Sequence, residues 1–203
     1  LPVDYDKEEF ERIKKAAAAL LAFLCALVFA GCTSGGDTSS DVTYVNAKAE
    51  KFKEFRVEKF NLKFSTPDDW QEDNKDTELD WYCENSSVGM GIFGYYRSDF
   101  ADSANVTDIL TQQSKDNMER YRNIQKLEHT PEFTSTDKNI TAELYSAEYE
   151  GAKIYQYFCY VEFKENDEFF WVTFSSQPSY MKKNFKMLEK IIDSFEIEKG
   201  GEK

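Results

Sequence analysis

Apolar and polar residues alternate with a period of two over Phe55-Arg-Val-Glu-Lys-Phe-Asn-Leu-Lys-Phe64, where Phe60, Leu62 and Phe64 stand between polar neighbours. That is the pattern of a half-buried strand. Pro67 closes the run, because it has no amide proton to give a sheet. Leu79 to Glu84 and Val88 to Tyr96 read as two more strands across the turn-forming Asn85-Ser86-Ser87, a hairpin. At Val106 the period changes. Val106, Ile109, Leu110, Gln113, Asn117 and Tyr121 recur at helical spacing behind Asn105, a candidate N-cap, which predicts a moderately amphipathic helix from Val106 to Arg122. Strand-like text then returns over Ile124 to His129, Ile140 to Tyr149, Ala152 to Lys164 and Glu168 to Ser175. Glu150-Gly151 and Glu165-Asn166-Asp167 join the last three as tight connections, so a meander is expected.

Both faces of that meander are apolar. Tyr155, Tyr157, Cys159, Val161 and Phe163 fall on one side of a strand whose other side holds Ile154, Phe158 and Tyr160. The next strand sets Phe169 and Trp171 against Phe170, Val172 and Phe174. Strands apolar on both faces need cover on both. Pro178 opens a second helix in which Met181, Phe185, Leu188, Ile192 and Phe195 recur at spacings of four and three. The expected class is α+β: one mainly antiparallel sheet with helices on both faces, an α/β/α sandwich.

Upstream of this domain the pattern is of another kind. After Lys14-Lys15 comes an uncharged apolar run from Ala16 to Ala30. As a helix it would span about 22 Å, short of a hydrocarbon core of about 30 Å, which favours a signal peptide over a buried or membrane-spanning helix. Phe29-Ala30-Gly31-Cys32 follows, with small residues before a cysteine, and then the polar Thr33-Ser34-Gly35-Gly36-Asp37-Thr38-Ser39-Ser40. This junction resembles a lipobox, the processing site of bacterial lipoproteins, with Phe29 where an aliphatic residue is usual. The resemblance implies cleavage before Cys32, lipid (palmitate) on Cys32 and a place on the extracytoplasmic face of a bacterial cell membrane. Because an acidic stretch from Leu1 to Arg12 precedes the basic pair, translation is expected to begin near Ile13. The chain therefore divides into a leader and signal peptide (1–31), lipidated Cys32 with a tether (32–52), a domain (53–198) and a tail (199–203).

Within the domain, Phe60-Asn-Leu-Lys-Phe-Ser-Thr-Pro-Asp-Asp-Trp70 is similar to the opening strand and Pro-x-x-Trp of the PsbP-like family. Leu188-Glu-Lys-Ile-Ile-Asp-Ser-Phe-Glu-Ile197 resembles that family's closing helix, which runs into a Ser-Phe strand. These short structural motifs imply the PsbP-like fold and a binding or assembly role, with no enzyme activity and no cofactor.

Composition narrows the partners. Residues 1–31 carry four basic and five acidic side chains, so the remainder stands at −12 against −13 for the whole chain. Phosphate backbones and anionic headgroups repel such a domain, which disfavours nucleic acid. With 17 Phe and 12 Tyr there is ample material for a core. The acidic segment Asp68, Asp69, Glu72, Asp73, Asp76, Glu78 and Asp80 offers oxygen ligands for a hard cation, Asp68, Asp69, Glu72 and Asp73 being the weak candidates. It lacks the spacing of an EF-hand, and a solvated loop explains it more simply. Cys83 and Cys159 are left either to form one disulfide or to pack as small hydrophobes in strand-like text. His129 is the only histidine, which excludes a His-rich metal site within one chain. With no Gly-x-Ser-x-Gly elbow in the sequence, His129 reads as a strand end rather than a catalytic base. Gly89-Met-Gly-Ile-Phe-Gly94 lacks the order of a phosphate loop and predicts a strand with close backbone approach or a bulge. The expected function is a membrane-anchored, non-catalytic binding or accessory module for a protein or envelope partner. A small-ligand or divalent-cation-binding lipoprotein is the alternative.

Overall fold

Asn61 redirects the first strand candidate. The computed structural model describes residues 51–73 and 79–198. In it the expected continuous strand is two strands, β1 (Phe52–Val57) and β2 (Leu62–Pro67), parted by a single 3-10 turn over Glu58–Phe60. Asn61 takes a left-handed conformation at φ 48°, one that asparagine tolerates better than most residues. The chain reverses there, and β2 runs back along β1 with Phe55 opposite Phe64.

This hairpin does not join the main sheet. It forms a three-stranded sheet with β10 (Glu196–Ile197) in the order β1-β2-β10. The single sheet expected from the sequence is thus two. The other sheet is built from β3 (Gln71–Glu72), β4 (Trp81–Glu84), β5 (Val88–Tyr96), β6 (Arg122–Leu127), β7 (Lys138–Tyr149), β8 (Ala152–Phe163) and β9 (Glu168–Ser176). Its order is β3-β4-β5-β9-β8-β7-β6, and each paired neighbour is antiparallel. The expected meander is present as β7, β8 and β9. Its first turn uses Glu150 and Gly151, both left-handed at φ 47° and 82°, which suits the twist of a two-residue hairpin. At the β4–β5 turn the Asn85 side chain accepts from the amides of Ser87 and Val88.

Helix α1 (Val106–Met118) starts as expected, with the Asn105 side chain accepting from the Asp108 amide. It stops short of Arg122: the Tyr121 amide turns back to the Met118 carbonyl, and β6 begins at once. Helix α2 (Pro178–Asp193) opens on its proline and ends at Ser194.

The alternation in β8 and β9 separates two apolar clusters. Tyr157, Cys159, Val161, Phe170, Val172 and Phe174 share one with Phe60, Phe64 and Trp81 and with Met181, Leu188, Ile191 and Ile192 of α2. Phe158, Tyr160, Phe169 and Trp171 share the other with Phe93 and with Val106, Leu110 and Met118 of α1. Trp81 links the two sheets, its ring edge-on to Phe55 at 5.0 Å and to Phe64 at 4.7 Å. Among the described residues no helix is long and apolar enough to cross a membrane.

Candidate functional site

Glu189 and Asp193 stand four residues apart on α2, on neighbouring turns of one side of the helix. The segment between β6 and β7, residues 128–137, lies across them as a strap. Asp193 Oδ2 accepts from the Thr134 amide at 2.8 Å and its hydroxyl at 2.7 Å. Its Oδ1 accepts from the Ser135 amide at 3.1 Å and hydroxyl at 2.7 Å. Nearer the strap's start, Glu189 Oε2 accepts from the Glu132 amide at 3.2 Å, and Oε1 lies 2.8 Å from His129 Nε2. The far end is tied by Lys138 Nζ to the Phe195 carbonyl at 2.8 Å and by Lys164 Nζ to the Thr136 carbonyl at 2.7 Å.

Partial burial opposes ionisation of Asp193, yet the four donors of Thr134 and Ser135 outweigh it and hold its pKa below the usual 3.8. A depressed carboxyl pKa contributes stability that is complete above the unfolded value and is lost as pH falls through the folded one. Asp193→Asn is therefore expected to cost about 1–2 kcal/mol at neutral pH, discounted for partial exposure. In urea titrations that gap from the parent protein should close below the ordinary carboxylate pKa. A gap that stays constant into acid would deny Asp193 the role of clasp.

His129 is packed as well as bonded. Its ring stacks on Phe185 at 3.9 Å and meets Tyr157 edge-on at 5.3 Å. The Tyr157 hydroxyl donates to Glu189 Oε1 at 3.4 Å, and Glu189 is 4% exposed. Burial raises the pKa values of Tyr157 and of its neighbour Cys159, so both keep their protons at neutral pH. Beside His129 opens a cavity of ≈ 470 Å³ lined also by Lys126, Leu127, Thr130, Glu143 and Leu144. Lys126 Nζ donates to Glu143 Oε1, and the Tyr145 hydroxyl donates to Oε2 at 3.0 Å. A second cavity, ≈ 430 Å³, continues along the same two strands past Gln125, Ser146, Glu148 and Lys153. With one imidazole nitrogen committed to Glu189, the site has the means to hydrogen-bond a polar group.

The residues singled out from the sequence fall elsewhere. Cys32, the proposed lipid site, lies outside the described residues, as do Asp76 and Glu78 of the acidic segment. Asp68 and Asp69 occupy an exposed turn, where Asn85 Nδ2 donates to Asp69 Oδ2 at 3.3 Å. Glu72 is on β3 and Asp73 just after it, its amide bonded to the Tyr82 carbonyl. Asp80 has a structural use, accepting from Lys59 Nζ at 2.7 Å and from the Gly94 amide at 2.9 Å. Among the described residues no three His, Cys, Asp or Glu side chains converge as metal ligands.

Cys83 and Cys159 are both free and buried. β4 and β8 are separated by β5 and β9. At about 4.8 Å per strand their backbones are roughly 14 Å apart, well beyond disulfide reach. Burial raises both thiol pKa values, so neither is a thiolate at neutral pH. The glycine-rich stretch is β5, and at Gly94 the backbone approaches closely, as expected: the Phe60 ring occupies the space a side chain would take. What the sequence reading missed is the strap. Its one signal was two acids at i and i+4 on a helix otherwise charged only by lysines.

No family model and no curated protein matches this chain in sequence. Solved structures do match in shape. The Ran-binding protein Mog1p of Saccharomyces cerevisiae superposes with a TM-score of 0.53 at 9% identity, over 73% of this chain and 96% of that one. The cyanobacterial PsbP of Synechocystis sp. PCC 6803 gives 0.44 at 11% identity, over 77% and 98%. LpqN of Mycobacterium tuberculosis, a protein involved in cell envelope biogenesis, gives 0.45 at 8% identity, over 73% and 84%. At these identities the likeness is one of fold, read from the first of the three alone. The described part of this chain has the fold of Mog1p.

Proposed function

We propose that the chain is an extracytoplasmic bacterial lipoprotein, anchored through Cys32, whose domain is a non-catalytic binding or accessory module for a protein partner or envelope component. The observation that carries this reading is the Phe29-Ala30-Gly31-Cys32 junction behind an apolar run too short to span a bilayer. On this reading residues 1–31 are removed, 32–52 form the tether and 53–198 the module, PsbP-like in type. Its layers form an α/β/α sandwich in which α1 and α2 cover opposite faces of the larger sheet. Mog1p supports the binding role, since a chain of that fold is described by its binding to another protein. The imidazole that lines the cavity and the Glu189 carboxylate bonded to it fasten a strap, which suits a shaped surface better than a reaction. Crosslinking in intact cells that express the full chain tests this. Recovery of the same partner in replicate experiments is expected, and repeated absence of any partner would count against it.

A second reading, small-ligand or cation binding, is favoured by the cavity of ≈ 470 Å³ beside His129. A ligand specific to the folded state must raise its melting temperature. Screening sugars, amino acids and calcium by thermal shift should find a stabiliser if this reading holds, and a flat screen removes it.

A further inference from the structure

The acidity of the chain is not spread evenly, and α2 is where it reverses. Lys182, Lys183, Lys186 and Lys190 are all exposed on this helix. At about 100° per residue they fall within an arc of roughly 100°, along about 12 Å of axis. Of the two acids of α2, Glu189 is buried against His129, while Asp193, held ionised by Thr134 and Ser135, is partly exposed at the C-terminal end of the same arc. Four exposed lysines against one partly exposed carboxylate leave the helix's solvent face basic. Among the described residues the ion pair made by this face is Lys186 with Glu132, 3.4 Å apart and with both side chains mostly exposed, a kind of pair that holds little energy.

Where the chain enters the domain indicates what this face meets. Lys190 Nζ sits 4.3 Å over the ring of Phe52, the first residue of β1. The chain leading back to Cys32 therefore departs beside the lysine face. Only 18 residues lie between Cys32 and Lys51, at most about 65 Å when fully extended.

We propose that the lysine face of α2 rests on the anionic headgroups of the membrane that holds the chain, a proposal that relies on the anchoring read from Cys32. Each lysine near such a surface contributes about 1 kcal/mol, fading over a Debye length of about 8 Å at physiological salt. Four lysines are too few to recruit a free domain of −12 charge. They suffice to orient a tethered one, because attachment supplies the high local concentration. The acidic remainder is repelled by the same surface, so attraction and repulsion both turn α2 inward. The groove lined by β6 and the strap's His129 is then displayed near the membrane.

The test uses the full chain, purified from bacterial membranes and reconstituted in vesicles of phosphatidylcholine alone or mixed equally with phosphatidylglycerol. Amine labelling read by mass spectrometry gives a rate at each lysine. Labelling of Lys182, Lys183, Lys186 and Lys190 should slow several-fold in the anionic vesicles only, recover when salt is raised, and leave Lys115 on α1 unchanged. The pair Lys183→Gln and Lys186→Gln should weaken the protection while the melting temperature stays the same. Equal rates in the two vesicles, or uniform slowing that includes Lys115, would overturn the proposal. So would protection that appears only on adding a cell extract, which would assign the face to an acidic protein instead. The acyl mass on Cys32, read from the same sample, judges the anchoring separately. An unacylated chain is still held to the vesicle by its apolar run 16–30, so the lysine rates remain decisive for this face.

Discussion

Gly94→Ala is expected to destabilise the domain by about 3 kcal/mol, the upper part of the range for overpacking a filled core, and to lower its melting temperature by roughly 10 °C. A Cβ at position 94 would lie 2.3, 2.5 and 2.6 Å from Cε2, Cζ and Cδ2 of Phe60. That ring cannot move aside. Phe60 is 1% exposed, meets Phe170 edge-on at 5.5 Å and lies against Tyr96 at 5.1 Å. Gly94 is equally confined, paired with Phe170 on β9 and with its amide donating to Asp80. The contact is where the turn between β1 and β2 docks on the larger sheet, so the substitution tests the packing of one sheet on the other. Shortening the ring in the double variant Gly94→Ala with Phe60→Leu should recover part of the loss. If Gly94→Ala melts with the parent protein, this docking is wrong.

Trp171→Ala should cost about 3–5 kcal/mol, which places the domain at the edge of folding. Trp171 is fully buried on β9, stacked on Phe93 at 5.2 Å and tilted against Phe158 at 6.3 Å. It anchors the apolar cluster that includes α1, on the face opposite Phe170 and Phe174. Trp171→Phe keeps an aromatic ring there and should lose only about 1–2 kcal/mol. Chemical denaturation compares the two, and similar midpoints for Ala and Phe would mean that this face holds no packed core.

The two-sided character of β8 and β9 was legible because strand geometry sends alternate residues to opposite faces, and both sets were apolar. Asn105 as an N-cap and Pro178 as a helix opener were legible because each satisfies or avoids a local backbone donor. The break at Asn61 was not. Lys59, Phe60, Asn61 and Leu62 keep the period of a strand, and only the left-handed turn at Asn61 sends β2 back along β1. That reversal creates the second sheet. The strap escaped for a different reason: its order comes from Glu189 and Asp193, 52 to 65 residues further along the chain than the segment 128–137 they bind. Contacts at that separation leave no local pattern. The candidate site of the folded domain was therefore the part least visible in the text.

Charge shows the same division between composition and placement. A total of −13 argues against any anionic surface. The fold sets this aside locally: on α2 four lysines stand exposed, while Glu189 is buried and Asp193 is partly covered by the strap. The sequence places Cys32 and the structure places Phe52, and the membrane reading joins them through 19 residues.

The most direct test of the account is the mass of the N-terminal peptide of the mature protein, taken from the membrane fraction of cells expressing the full chain. The account predicts a peptide that begins at Cys32 and carries a diacylglyceryl mass, and loss of that mass in Cys32→Ser. A mature protein in which Gly31 is still joined to an unmodified Cys32 would contradict it.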